Sequence, residues 1–216
     1  MKTQRQRVIY DYLTPCACFG DVGCDHGVFT YEMLASKKAQ TAVYSDISAA
    51  CLQKARVLTA PYAARATGVV CDGITEAHAP CDQVLIAGMG GMEIVKILQN
   101  APTLPTRLVL QPMKDAESVR KAVVALGYAV EKDTLFTAEG KYYYIVTANK
   151  GQTLPPYSER EYRYGRDNLR DLQADFIHLL QVRREELTLA AARAKESALL
   201  AAELAEIEEI LQNGTH

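Results

Sequence analysis

The sequence predicts an α/β fold in which a mostly parallel sheet is closed by an antiparallel strand pair and followed by a C-terminal helical appendage. Three observations carry this. Short apolar runs alternate with helix-like stretches up to about residue 150, the pattern of successive βαβ units. The alternation then yields to a β-prone run, Tyr142 to Thr147, behind the turn-like Ala138-Glu139-Gly140. Beyond Pro155-Pro156, the stretch from Glu159 to Gln212 has no proline and a single glycine, Gly165, with apolar residues at helical spacing.

The expected strands, in order, are Cys16 to Val22, Thr41 to Asp46, Thr67 to Cys71, Gln83 to Ala87 and Arg107 to Gln111. Between them the spacing predicts helices over Phe29 to Lys37, Ser48 to Thr59, Met92 to Gln99 and Ala116 to Leu126, the last closed by Gly127. Tyr128 to Lys132 and Tyr142 to Thr147 then read as a final hairpin. An open parallel sheet closed this way resembles the seven-stranded methyltransferase sheet; a dinucleotide-binding Rossmann sheet more often adds another parallel unit. Gly151 to Ser158 is the expected linker. It divides a domain at residues 1–150 from an appendage at 151–216. Leu169, Leu172, Phe176, Leu179, Leu180 and Leu187, then Leu199, Leu204, Ile207 and Ile210, suggest two antiparallel helices broken between Leu187 and Ser197.

Composition narrows the class. At 216 residues, with 49% hydrophobic and 23% charged side chains, the chain has ordinary globular composition. No apolar run is long enough to span a bilayer and no apolar signal core follows Met1 to Arg7, so a cytoplasmic protein is expected; the sequence leaves the oligomeric state open, with a monomer favoured. Six cysteines (Cys16, Cys18, Cys24, Cys51, Cys71, Cys81) show no zinc-like spacing and read as small hydrophobes in a reducing compartment. His78 and His178 join no cluster and read as surface or helix-packing residues, so no metal is expected. A net charge of −2 excludes a wholly basic nucleic-acid coat but leaves room for a local basic face. Arg160, Arg163, Arg166, Arg170, Arg183, Arg184, Arg193 and Lys195 occupy the first part of the appendage; Glu203, Glu206, Glu208 and Glu209 follow. That charge is either a solvated helical surface or an edge that meets phosphates.

The chemistry sits at the ends of the strands. Asp21-Val-Gly23-Cys-Asp25-His26-Gly27 joins the first strand to a helix, where glycine permits close approach and a helix N-terminus offers free amides. Asp21 and Asp25 would repel a pyrophosphate but suit a sulfonium and an amino group, which favours S-adenosylmethionine over a nicotinamide dinucleotide. Asp46 and Ile47 end the second strand; the carboxylate suits ribose hydroxyls, or else caps the next helix, as Ser48 equally would. Asp72-Gly73 places a carboxylate near an adenine amino group, or forms an ordinary turn. Ala87-Gly88-Met89-Gly90-Gly91 puts three glycines in four residues at the mouth of the sheet, which suggests close approach of ligand or substrate. Met89 there is either a ligand contact or a core side chain. Gln111 is placed to offer an amide to a base edge.

Taken together, Asp21 to Gly27, Ile86 to Gly91, Leu108 to Pro112 and Glu139 to Tyr143 resemble, in order and over almost the whole chain, the bacterial tRNA (adenine(22)-N1)-methyltransferases. The resemblance implies a Rossmann-like methyltransferase domain, a coiled-coil-like helical domain, S-adenosylmethionine as cofactor and tRNA as substrate. Two positions depart from the family pattern. Gly27-Val28-Phe29-Thr30 stands where Ala-Tyr-Leu-Pro is usual, and Met113 stands where asparagine usually follows Gln-Pro.

Adenine N1 carries a lone pair, so methyl transfer to it needs alignment and electrostatic support rather than a strong base. Asp25 is the expected electrostatic residue and His26 its orienting partner or a base contact. Gly90, Gln111, Arg163, Arg166 and Arg170 are the expected substrate contacts. The competing readings are a methyltransferase for another RNA position or a small molecule, a non-catalytic binding module, and, last, a nicotinamide-dependent oxidoreductase.

Overall fold

The computed structural model describes residues 2–151, 155–193 and 198–213. One seven-stranded sheet organises them. Its strands are β1 (Cys16–Val22), β2 (Ala39–Asp46), β3 (Ala66–Val70), β4 (Gln83–Met89), β5 (Arg107–Pro112), β6 (Tyr128–Ala138) and β7 (Lys141–Lys150), in the spatial order β3-β2-β1-β4-β5-β7-β6. The first five run parallel, and β7 lies antiparallel between β5 and β6. This is the methyltransferase-type sheet that the sequence predicts. All five parallel strands deliver their carboxyl ends to one edge, so the loops after β1, β2, β3, β4 and β5 meet there.

Both faces are covered, which is why the central strands read as nearly unbroken apolar runs. On one face Ile86, Leu108, Leu110 and Val146 pack against α4 (Gly91–Asn100) and α5 (Ala116–Ala125) through Ile94, Leu98, Val119 and Val123. On the other, Phe19, Leu85, Val109 and Ile145 pack against α1 (Gln4–Asp11) and α2 (Val28–Ala35) through Ile9, Phe29, Met33 and Leu34. Each such fully buried aliphatic side chain stabilises the fold by roughly 1.5–3 kcal/mol. The remaining helix of this part, α3 (Ala49–Thr59), is capped by Ser48, whose Oγ accepts from the Cys51 amide at 3.3 Å.

Three features differ from the sequence reading. The helix α1 was not expected; its signal was the capping box of Thr3 and Gln6, in a segment with only one fully buried residue, Ile9. The strand β6 runs on to Ala138 rather than stopping at Lys132, because a register shift between Val130 and Lys132 interrupts its alternation without ending its pairing. The appendage comprises α6 (Glu159–Tyr164), α7 (Arg166–Asp171), α8 (Ala174–Arg193) and α9 (Ala198–Asn213), not simply two helices. Gly165 at φ 92° and Leu172 at φ 43° turn the chain between the first three. Of the stretch between Leu187 and Ser197 where a break is expected, α8 continues to Arg193, and residues 194–197, with Lys195, lie outside the described residues, as do 152–154 of the expected linker.

The appendage completes the sheet edge. The outward amides of β6 meet no further strand; instead Asp133 N donates to Asp167 Oδ2 (2.9 Å), Leu135 N to Asn168 Oδ1 (2.8 Å) and Thr137 N to Asp175 Oδ2 (3.0 Å). Side chains of α7 and α8 thereby satisfy an edge that would otherwise recruit another strand. An apolar cluster of Leu135, Tyr164, Phe176, Leu180, Leu187, Ile207 and Ile210 seals the same junction.

Candidate active site at the carboxyl edge of the sheet

The loop after β1 builds the floor. Gly23 at φ +70° turns the chain in a conformation that a side chain disfavours, and a Cβ there would stand 1.9 Å from Met89 Cε. The loops after β1 and β4 are therefore in contact, with the Met89 methyl lying over the glycine. Met89 is only partly buried, so it belongs to the site as well as to the core beside it. Asp25 also takes a left-handed conformation, at φ 47°.

Asp21 ends β1 almost fully buried, and its Oδ2 accepts from Thr30 Oγ1 (2.7 Å) and from Thr30 N (3.2 Å). Burial raises its pKa to about 6 against the lowering effect of those two bonds. Thr30 stands where the resembled family usually has proline, which could supply neither the hydroxyl nor the amide proton. That departure thus supports the buried carboxylate.

Asp46 organises two loops at once. Its Oδ2 accepts from the Asp25 amide at 3.0 Å and its Oδ1 from the Ser48 amide at 2.8 Å, so one carboxylate at the end of β2 holds the turn after β1 and the start of α3. The two sequence readings of Asp46 therefore divide: Ser48 caps α3, and Asp46 ties the site together. Ile47 beside it is 71% exposed, an apolar side chain turned largely to solvent. Asp72 lies beyond β3 near Lys96 (3.7 Å), and Gly73 packs on Ile97.

His26 Nε2 lies 3.6 Å from Asp25 Oδ1 and 3.3 Å from Lys54 Nζ, all three groups being exposed. The sequence paired Asp25 with His26 but did not anticipate Lys54, which comes from α3. After β4, Gly88 takes φ +81°, Gly90 caps α4, and Gly91 sits so close to the Asp115 carbonyl that a Cβ would approach it to 2.4 Å. Gln111 is fully buried; its Nε2 donates to the Pro112 carbonyl at 2.9 Å, while Oε1 has no partner. A buried acceptor left unpaired costs about 1–3 kcal/mol.

Of the expected site residues, Asp21, Gly23, Asp25, His26 and Ala87 line one pocket together with Arg5, Gln6, Cys24, Val28 and Phe29, whereas Asp46, Ile47, Asp72, Gly73, Gly88, Met89, Gly90 and Gln111 lie outside its lining. Arg5 and Gln6 enter it from α1, and neither was singled out in the sequence. A larger cavity of 440 Å³ lies away from the strand ends, between β6 and the appendage, and includes Glu131, Tyr157, Arg166 and Arg170.

The appendage arginines sit elsewhere than the pocket and are engaged. Arg163 pairs with Glu206, Arg166 with Glu161 at 2.7 Å, and Arg170 with Asp167 (2.8 Å) and Asp171 (2.6 Å). Arg160 with Glu209 and Arg183 with Glu203, both at 2.8 Å, continue the pattern. The basic and acidic halves of the appendage therefore face one another across the helix packing, whereas the sequence alone left them as separate stretches.

Two histidines and the cysteines complete the account. His78 is buried, not superficial, and bonds Ser45 Oγ at 3.2 Å; burial lowers its pKa. His178 bonds the Tyr142 hydroxyl. All six cysteines are free, with Cys18, Cys24 and Cys81 buried. Among the described residues no group of three or more histidine, cysteine, aspartate or glutamate side chains could hold a metal, and no helix is long and apolar enough to cross a membrane.

Comparison with known proteins gives this geometry its context. The chain is 26% identical over 160 residues to the tRNA (adenine(22)-N(1))-methyltransferase of Bacillus subtilis, a match spanning 69% of this chain and 65% of that relative. The structure superposes on the B. subtilis m1A22 tRNA methyltransferase TrmK with a TM-score of 0.79 at 20% identity, covering 98% of this chain and 96% of that one. It superposes on M. capricolum TrmK in complex with S-adenosylhomocysteine with a TM-score of 0.85 at 18% identity, covering 99% of this chain and 97% of that one. The resemblance read from the four motifs is borne out by these relatives. The family model described as a methyltransferase domain matches residues 2–146, and with the β3-β2-β1-β4-β5-β7-β6 sheet and its glycine turn after β1, the chain belongs to the methyltransferase domain family.

Proposed function

We propose that this protein methylates N1 of an adenosine in tRNA, at position 22 by analogy with its relatives, using S-adenosylmethionine. The observation that carries the reading is the convergence at one sheet edge of the Gly23 turn, the buried Asp21 and the Asp46 carboxylate that ties two loops together. The residues fit the cofactor: a left-handed glycine turn at Gly23 covered only by the flexible Met89 methyl, carboxylates suited to positive charge, and an exposed Ile47 beside Asp46. In this reading Asp21, Gly23, Asp46, Ile47, Asp72, Gly73, Ala87, Gly88 and Met89 hold the cofactor. When bound, it supplies an electrophilic methyl group on a sulfonium.

The chain's own residues then have limited but specific work. Neutral adenine presents N1 as a lone pair, so no side chain need remove a proton before attack. Asp25 stabilises the positive charge that the base acquires, and His26, between Asp25 and Lys54, orients it. In this reading Gly90 and Gln111 contact the base; the Gln111 side chain is fully buried, so its unpartnered Oε1 accepts from the exocyclic amino group only after the chain beyond β5 moves aside. Swinging the base out of folded tRNA costs a few kcal/mol, which contacts from Arg163, Arg166 and Arg170 to the RNA backbone help offset.

The test is calorimetric titration of S-adenosylmethionine followed by labelled-methyl transfer to bulk tRNA lacking the modification. Binding with label at adenosine N1 supports the proposal. Binding with label at another atom or on another substrate replaces the substrate half; absence of binding removes the whole.

A further inference from the structure

The guanidinium of Arg5 stands at the pocket without an anionic partner. One Nη donates to Met113 Sδ at 3.4 Å, and a Cβ on Gly88 would lie 3.5 Å from the other. Its face lies 5.6 Å from the Tyr143 ring centroid. The helix that carries it is tied down at its start, where Glu139 accepts from the amides of Gln4 (2.7 Å) and Arg5 (3.4 Å). Among the described residues no carboxylate lies within ion-pair distance of Arg5, whereas Arg107, Arg120, Arg163, Arg166 and Arg170 each have one. A thioether is a weak acceptor, so little is lost when a carboxylate displaces it.

The pocket therefore presents both signs of charge, with Asp21, Asp25 and Arg5 all in its lining. An isolated anion would be repelled by the two carboxylates, and an isolated cation by the guanidinium. A zwitterion with its amino and carboxylate groups on one carbon satisfies both. We infer that Arg5 binds the α-carboxylate of the amino-acid end of S-adenosylmethionine, an inference that rests on the cofactor assignment proposed above. The same guanidinium chemistry would also suit an RNA phosphate, and the test separates the two.

Calorimetry with S-adenosylmethionine and with its decarboxylated analogue, on the wild-type protein, Arg5→Gln and Arg5→Lys, isolates the contact. The wild type is expected to prefer the carboxylate-bearing ligand; Arg5→Gln should weaken that ligand about 10-fold, as loss of a charged hydrogen bond does. The analogue's affinity should not change, so the preference collapses in Arg5→Gln and is partly restored in Arg5→Lys. Equal weakening of both ligands, or of neither, overturns the inference. Unchanged cofactor affinities with a raised KM for tRNA and a shallower salt dependence also overturn it, assigning the guanidinium to phosphate. A wild type that binds neither ligand removes the cofactor reading itself, an outcome distinct from wild-type binding with the preference kept in Arg5→Gln.

Discussion

Arg120 and Asp133 form an ion pair sealed inside the junction of α5 and β6, with Nε 2.9 and 2.8 Å from the two carboxylate oxygens and side chains 0% and 1% exposed. Arg120 Nη1 also donates to the carbonyls of Tyr162 (3.0 Å) and Arg163 (3.3 Å), and Tyr157 donates its hydroxyl to Asp133 at 3.3 Å. One guanidinium thus binds a sheet strand and the end of α6 together. Removing one partner leaves a buried charge uncompensated, so Asp133→Ala is expected to cost about 3–5 kcal/mol in urea unfolding. Replacing both with well-packed apolar residues should cost much less. A loss below 1 kcal/mol for the single change would show that water reaches the site.

Asp46→Ala removes the acceptor for two backbone amides as well as a carboxylate from the sheet edge. Unfolding stability should fall by about 1–3 kcal/mol and cofactor affinity by about 10-fold or more. Asp46→Asn, which keeps one acceptor, should fall between. Unchanged calorimetric affinity in Asp46→Ala would exclude the carboxylate from cofactor binding.

Asp21 should make both stability and binding depend on pH, in opposite directions. Its pKa is raised to about 6 in the fold, so the folded protein holds a proton that the unfolded chain releases near 4. The group's contribution to stability is therefore full below about 4 and is lost as pH rises through 6, a change on the order of 2–3 kcal/mol. A cationic ligand favours the ionised form, so its affinity should rise with pH up to about 6 and then level. Asp21→Asn should flatten both trends in melting and titration series; a wild-type affinity that is flat from pH 5 to 7 would rule out charge pairing with Asp21.

Changing Arg163, Arg166 and Arg170 to alanine should weaken tRNA binding and reduce the magnitude of its salt slope by about 2–3. Arg170 with Asp171 and Arg163 with Glu206 are the more exposed pairs, whereas Arg166 also donates to the carbonyls of Pro155 and Pro156, so exchange for a phosphate is expected first at Arg163 and Arg170. Filter-binding across a salt series measures the slope directly. An unchanged slope would place the RNA on another face.

The strand positions, the glycine turns and the acidic residues at strand ends were legible in the sequence because each depends on local periodicity and on which backbone conformations a residue tolerates. Thus the sequence locates β1, β2, β4 and β5 to within two or three residues and places Asp21, Gly23 and Asp46 at one sheet edge. What depended on partners distant in the chain was not legible. Thr30 on Asp21, Lys54 on His26, Arg5 over Gly88, and Asp167 and Asn168 on the free edge of β6 are meetings of residues 9 to 83 positions apart, and no local pattern encodes them. The appendage shows the same division: helical spacing revealed apolar faces, but only packing α6 and α8 against α9 decided that Arg160, Arg163 and Arg183 would meet Glu209, Glu206 and Glu203. Sequence determined the scaffold and the chemical character of its edge; tertiary structure decided which charges are buried, which are paired, and which, like Arg5, remain available to a ligand.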